Sequence, residues 1–254
     1  MKTLFVGQNI IHLNSVASTN SYASELLRQI RPVEGTLIYT FNQQNGRGQR
    51  GSGWESEANK NIALSLILNP AFLQADKQFL ITKIISLSVA DLMAEMLHSY
   101  GLSEQIRIKW PNDIYVGDKK IAGILIENTL RENNIQSSII GIGINFNQTE
   151  FTTTNTATSL KILTNVDFDL MVGVERICDY IEARYLQLKT NKLENIVNSY
   201  LLSLYKFGEW SNYSSGGQTF AGKITGVSPL GKLQLELESN EIKEFDLKEI
   251  MFCS

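Results

Sequence analysis

Apolar residues recur at helical spacing through Ile81, Ile85, Val89, Leu92 and Met96, with Gly101 as a stop signal, so the pattern predicts a core-facing helix. Leu170, Val174, Ile177, Ile181 and Leu188 predict a second amphipathic helix and Leu193 to Leu204 a third; Tyr180 and Tyr185 in this stretch read as packing residues. Near the N-terminus, Ser18 or Thr19 can cap a helix running to about Ile30. Strands are predicted at Leu37 to Phe41 and Ile62 to Leu68. Ile106 to Trp110, Ile114 to Val116, Lys120 to Leu130 and Ile135 to Asn145 read as consecutive strands, with a tight turn at Gly117-Asp118.

After Lys206 the pattern shortens to β segments at Thr219 to Val227, Lys232 to Glu238 and Ile242 to Leu247, punctuated by Gly216-Gly217, Ser228-Pro229-Leu230-Gly231 and Ser239-Asn240. The expectation is an α+β fold. A mixed, largely antiparallel sheet with packed helices spans 1–206, and a small β-barrel spans 207–254. A module that small has little core of its own and should pack on the larger one.

With 254 residues, 43% of them hydrophobic and 19% charged, the chain can bury a substantial core. No apolar run approaches the ~20 residues of a membrane span, and Leu4-Phe5-Val6 is broken at once by Gly7, Gln8 and Asn9, so no membrane partner and a cytoplasmic address are expected. Cys178 and Cys253 offer neither a disulfide framework nor a metal-ligand spacing. The whole net charge of −3 sits in residues 207–254, where Lys223, Lys232, Lys243 and Lys248 face seven acidic groups. Neither part has the basic footprint that binding a phosphate backbone requires, so no nucleic-acid partner is expected.

Two segments carry chemistry. Lys109-Trp110-Pro111-Asn112-Asp113, followed by Lys120-Ile121-Ala122-Gly123-Ile124-Leu125, sets two ammonium groups, an amide and a carboxylate around one hairpin, a set suited to an anion and a metal together. Upstream, Gly46-Arg47-Gly48-Gln49-Arg50-Gly51-Ser52-Gly53-Trp54 combines glycines, whose backbone N–H groups can approach an anion closely, with arginines and a terminal aromatic. It is neither a Walker A loop nor a Rossmann fingerprint. Taken alone, it reads equally well as a solvated surface loop.

Joining a carboxylate to an amine through ATP requires two anions to be held together, and Lys120 suits that position. Its neighbour Lys119 points to the other side of the strand and reads as solvated. Asn112 and Asp113 are oxygen ligands suited to Mg²⁺ bound with a triphosphate; the alternative for this segment is a plain turn.

Ser18-Thr19-Asn20, the glycine-arginine loop, Lys109 to Asp113, Lys120 to Leu125 and Gly141-Ile142-Gly143-Ile144-Asn145 occur in an order and spacing that resemble the biotin protein ligases. The resemblance implies a class II synthetase-like catalytic fold with a C-terminal SH3-like barrel, and an ATP-dependent activation of biotin followed by transfer to a lysine of a biotin carboxyl carrier domain of a carboxylase. It implies catalytic roles for Lys120, Arg47 and Asp113, the last also as a Mg²⁺ ligand. Ser18, Thr19, Asn20, Gln43, Gly46, Arg47, Gly48, Gln49, Lys120, Gly123, Gly141 and Gly143 are then expected at biotin, with the last three as small residues under its rings. Arg47, Trp54, Asn112, Lys120 and Asn145 are expected at ATP, with Trp54 stacking near adenine; the alternative for Trp54 is a loop anchor.

Two departures stand out: Gln49 occupies the second arginine position of the usual Gly-Arg-Gly-Arg, and Ser52 replaces another basic residue. Only 17 residues precede Ser18, too few for a helix-turn-helix, so the monofunctional type is expected. An exposed sheet edge would allow a homodimer. A lipoate-type ligase and a regulatory protein that binds biotin without turnover stay open as alternatives; the Lys-Trp-Pro-Asn-Asp segment favours biotin, and intact Lys120, Asn112 and Asp113 favour turnover.

Overall fold

A computed structural model describes residues 2–253. In chain order the elements are β1 (Ile10–His12), α1 (Thr19–Gln29), β2 (Thr36–Thr40), β3 (Gly46–Arg47), β4 (Gly53–Trp54), β5 (Asn61–Leu68), α2 (Phe79–Leu97), β6 (Ile106–Lys109), β7 (Asp113–Val116), β8 (Lys119–Arg131), β9 (Asn134–Asn145), α3 (Leu160–Thr164), α4 (Leu170–Lys189), α5 (Leu193–Leu202) and β10 to β14 (Trp210–Ser215, Gln218–Val227, Leu233–Leu237, Ile242–Phe245 and Met251–Phe252). Seven strands form one sheet in the order β1-β2-β5-β9-β8-β7-β6, antiparallel throughout except for the parallel pair β1–β2. Five more form an antiparallel sheet, β13-β12-β11-β10-β14, consistent with the SH3-like barrel expected for this region.

The alternation of β9 divides the large sheet into two faces. Ile140, Ile142 and Ile144 point into the main core, where α2 and α4 pack across the sheet. Tyr213, Ile224, Leu233 and Leu235 of the second sheet belong to that same core, so the two sheets are not separately filled. The opposite face of β9 carries Ile139, Gly141, Gly143 and Asn145. Helix α1 covers only one end of it, packing Ala23 on Ile38, Ile67 and Ile139. The remainder of that face is floored by glycine, and the site lies there.

The short strands β1, β3, β4, β10 and β14 were not expected. Strands of two or three residues carry no periodic signal, and the β10 sequence, Trp-Ser-Asn-Tyr-Ser-Ser, is mostly polar. Among the described residues no helix is long and apolar enough to cross a membrane. Cys178 is buried, and burial pushes its thiol up to about 12, so it is an inert packing thiol.

Candidate active site

A cleft of about 280 Å³ opens over the glycine floor. Ser18, Thr19, Asn20 and Gln43 line it, as do Arg47, Gly48, Gln49 and Trp54 of the loop, Asn112 and Asp113, and Lys120, Gly123, Gly141 and Gly143 of the sheet. Gly46 and Asn145 are the two expected residues not among those lining it.

Helix α1 supplies the polar end. The Ser18 hydroxyl caps the helix by accepting from the Ser21 N–H, and Thr19 donates its N–H and its hydroxyl to Gln43 Oε1 at 2.9 and 3.2 Å. Asn20 is buried: it donates to Glu127 Oε2 at 2.7 Å and accepts from the Ser65 hydroxyl at 2.6 Å. Asn20 is what Gly141 faces, since a Cβ at residue 141 would come within 2.3 Å of Asn20 Oδ1. Gly46 serves the loop, not the cleft: a Cβ there would meet the Trp54 carbonyl at 2.6 Å across the β3–β4 pair.

A bulge aims the key lysine. Counting back in twos from Gly123 sends Lys120 to the far face, but the β7–β8 register shifts between Ile114 and Tyr115, pairing Asp113 with Gly123 and Tyr115 with Lys120. One extra residue in β8 therefore puts Lys120 on the same face as Asp113 and Gly123. Lys120 Nζ lies 2.7 Å from Asp113 Oδ1 and 5.6 Å from the centre of the Trp54 ring. The segment beyond β9 fixes its backbone, with Lys120 N–H donating to the Thr156 carbonyl and Thr158 N–H to the Lys120 carbonyl. Lys119 is exposed.

Arg47 is the second cation of the cleft, and Glu127 on β8 faces it at 3.4 Å. Each cleft cation thus has a carboxylate neighbour. Glu127 was not expected; counting in twos from Gly123 through Leu125 would have found it. Leu247 and Ile250, between β13 and β14, and Phe252 of β14 also line the cleft, and no motif marks them.

Trp54 lies flat on the floor. A Cβ at Gly143 would fall 2.5 Å from its ring, and one at Gly123 3.1 Å away, so the ring itself covers two of the glycines expected beneath biotin. Its indole N–H is buried and meets no hydrogen-bond partner among the described residues. Asn112 is buried and donates to the Ile124 carbonyl. Asn145 lies one step beyond Gly143, beneath the chain that follows β9, donating to the Thr158 carbonyl at 3.0 Å with its own Oδ1 unpartnered among the described residues.

Behind these groups, Lys109 Nζ sits among the rings of Tyr115, Phe252 and Tyr205 at 5.0, 5.1 and 5.8 Å. Burial lowers its pKa and the nearby Asp113 works the other way. Trp110 donates its indole N–H to the Gly231 carbonyl at 3.0 Å, and Tyr200 donates to the Pro111 carbonyl at 2.6 Å, so the chain entering Asn112 and Asp113 is held from both sides. Among the described residues no cluster of three or more His, Cys, Asp or Glu side chains could hold a metal.

Residues 13–145 match the Biotin/lipoate A/B protein ligase family. The chain is 34% identical to the bifunctional ligase/repressor BirA of Bacillus spizizenii over 245 residues, which is 94% of this chain and 72% of that protein. It is 26% identical to the biotin–[acetyl-CoA-carboxylase] ligase of Mycobacterium tuberculosis, covering 89% of this chain and 83% of that one. Its fold superposes on the biotin protein ligase of Aquifex aeolicus solved in complex with biotin and ATP, with a TM-score of 0.77 at 27% identity, over 96% of this chain and 98% of the other.

Proposed function

The chain belongs to the Biotin/lipoate A/B protein ligase family, and from that premise we propose that it activates biotin with ATP as biotinyl-5′-AMP and transfers the biotinyl group to a lysine of a carboxylase carrier domain. The observation that carries this reading is the placement of Lys120. A bulge turns it onto a glycine-floored cleft, beside Asp113, with Arg47 lining the same cleft and a set of neutral hydrogen-bonding groups at the α1 end.

In the first step a biotin carboxylate oxygen attacks the α-phosphorus of ATP; a P–O bond forms, and the bond to the bridging oxygen breaks as pyrophosphate leaves. Two anions must approach each other for this to happen. Lys120 exchanges its contact with Asp113 for one with carboxylate and phosphate, a preorganised charge at the point where negative charge collects. Arg47, held no closer than 3.4 Å to Glu127 and half-exposed, is free to turn toward the same anions. In the second step the acceptor amine attacks the acyl carbon, giving an amide, AMP and a proton. The side chains of Ser18, Thr19, Asn20 and Gln43 form the end suited to the neutral ureido group of biotin, and Trp54 and Asn112 the nucleotide side, which Asn145 supports from beneath through its bond to the Thr158 carbonyl.

Mg²⁺ fits this site only as a companion of the triphosphate. Asp113 is the carboxylate available to it, and Mg²⁺ commonly takes one or two carboxylates and completes its shell with phosphate and water. It would supply charge neutralisation there. We assign residues 1–206 to the catalytic unit and 207–254 to a C-terminal unit packed on it. The edge strand β1 offers a surface for a homodimer, and the balanced charge of residues 1–206 with the acidic excess of 207–254 speaks against nucleic acid as a partner.

Incubation with labelled biotin, ATP and a carrier domain, with lipoate in a parallel reaction, tests the assignment. Label on the carrier lysine that requires ATP supports it; label from lipoate alone, or none, overturns it.

Gln49 lines the cleft at the position where the resemblance to the biotin protein ligases implies a second arginine. A neutral amide cannot counter a phosphate charge, and replacing a charged hydrogen bond by a neutral one costs about 1 kcal/mol, or several-fold in rate. Gln49→Arg is therefore expected to slow release of biotinyl-5′-AMP several-fold in a chase experiment. An unchanged off-rate would mean that residue 49 does not touch the adenylate.

A further inference from the structure

Directly after Trp54, the Glu55 carboxylate accepts five hydrogen bonds from two consecutive threonines almost a hundred positions away. Thr152 donates its N–H at 2.9 Å and its hydroxyl at 3.1 Å to Oε1, and its N–H also reaches Oε2 at 3.1 Å. Thr153 donates its N–H at 2.9 Å and its hydroxyl at 2.6 Å to Oε2. Both carboxylate oxygens are therefore occupied, by donors on a single exposed segment.

That segment is the one that holds Lys120. A few residues after Thr153, Thr156 and Thr158 make the two backbone bonds to Lys120, and Ala157 runs parallel beside it as an isolated bridge. Thr158 also receives the Asn145 side chain. At their inner ends the two segments are joined independently, by Asn147 N–H to the Lys60 carbonyl and Glu57 N–H to Gln148 Oε1. The Glu55 contact is the outer tie, next to the loop that covers the cleft. A half-buried carboxylate without a structural task would not be so fully coordinated: although burial alone would raise its pKa, the Thr153 and Thr152 donors bring it down to about 2.

We infer that Glu55 is a positioning residue: it clamps the 150–158 segment to the glycine-arginine loop, so that closure of Trp54 and Arg47 over the cleft and the placement of Lys120 are one event. With the clamp made, the loop cannot lift without pulling on the segment that fixes the Lys120 backbone. With it broken, the loop opens alone and the bound acyl-adenylate escapes. This rests on the proposed adenylation reaction for its kinetic readout, and a second readout is independent of it.

The test compares the full chain with Glu55→Ala, Glu55→Gln and Glu55→Ala combined with Thr152→Ala and Thr153→Ala. Expected for Glu55→Ala are release of biotinyl-5′-AMP faster by about tenfold, in line with the loss of charge-assisted bonds, and a raised KM for ATP, with the KM for biotin and the thermal midpoint unchanged. Glu55→Gln should lie between it and the wild type, and the threonine changes should add nothing to Glu55→Ala. Independently of any reaction, tryptic cleavage after Arg47 in the free protein should quicken in Glu55→Ala. A wild-type protein that forms no biotinyl-5′-AMP would sink the proposed function while leaving the clamp to be judged by proteolysis. Unchanged off-rate and unchanged cleavage, a lowered midpoint with both unchanged, or fully additive threonine effects would overturn the clamp.

Discussion

Lys120→Ala is expected to abolish biotin-dependent release of pyrophosphate while the protein still unfolds cooperatively. The ammonium faces Asp113 at 2.7 Å, and about a third of each side chain is exposed. A pair so placed contributes on the order of 0–1 kcal/mol to stability, and truncation leaves no core cavity. The kinetic loss is of another size. Removing one preorganised charge from the meeting point of two anions typically raises a barrier by several kcal/mol, a factor of 10² or more. Here the loss is compounded, because the Asp113 carboxylate is left uncompensated beside the incoming anions. Measuring pyrophosphate release alongside a melting curve separates the two effects. Release near the wild-type rate would remove Lys120 from the reaction; loss of the melting transition would mean that the pair is structural.

Gly141→Ala should be the most damaging single methyl group on the sheet. The new Cβ would lie 2.3 Å from Asn20 Oδ1 and 2.9 Å from its Cγ, and Asn20 has nowhere to retreat: it is buried and bonded to Ser65 and Glu127. Overpacking of this kind costs about 1–3 kcal/mol, with the penalty of an unsatisfied buried hydroxyl or amide if Asn20 is expelled. Biotin affinity should fall with it, because Asn20 belongs to the polar end of the cleft. Gly143→Ala is the control. Its Cβ would meet the Trp54 ring at 2.5 Å, and that ring can move only with its loop, which is held there by the Glu55 contact and not by core packing, so the loss of stability should be the smaller of the two and the loop displaced. Equal melting temperatures for Gly141→Ala and wild type would show that Asn20 yields easily.

These contrasts bear on how far the sequence could be read. The long periodic elements were legible because each buries one face: α2, α4, β5, β8 and β9 lie within a residue or two of where their apolar spacing predicts them. The residues expected at the site were legible as a group, and of them all but Gly46 and Asn145 line the cleft. What could not be read was which neighbour each one meets. A register shift has no signature in Ile121-Ala122-Gly123, so period-two counting alone misplaces Lys120. The three glycines mark a floor, but spacing does not say that Asn20 and Trp54 lie on it. Glu55 carries no motif at all, because its partners stand 97 and 98 positions downstream.

The second sheet reaches into the cleft in two ways. Phe252 and, from the connection between β13 and β14, Leu247 and Ile250 form part of the wall, and the Gly231 carbonyl in the turn before β12 receives the Trp110 indole beside Asn112. Gly231 has a φ of +90°, and a Cβ there would strike the Phe79 ring at 2.4 Å, so this turn must be glycine to sit against α2 and meet Trp110. In engineering terms the C-terminal sheet is not a detachable module. A chimera that borrows it from a relative exchanges one wall of the reaction vessel along with it, and the natural cut point for such a graft is one that carries Trp110 and Gly231 together.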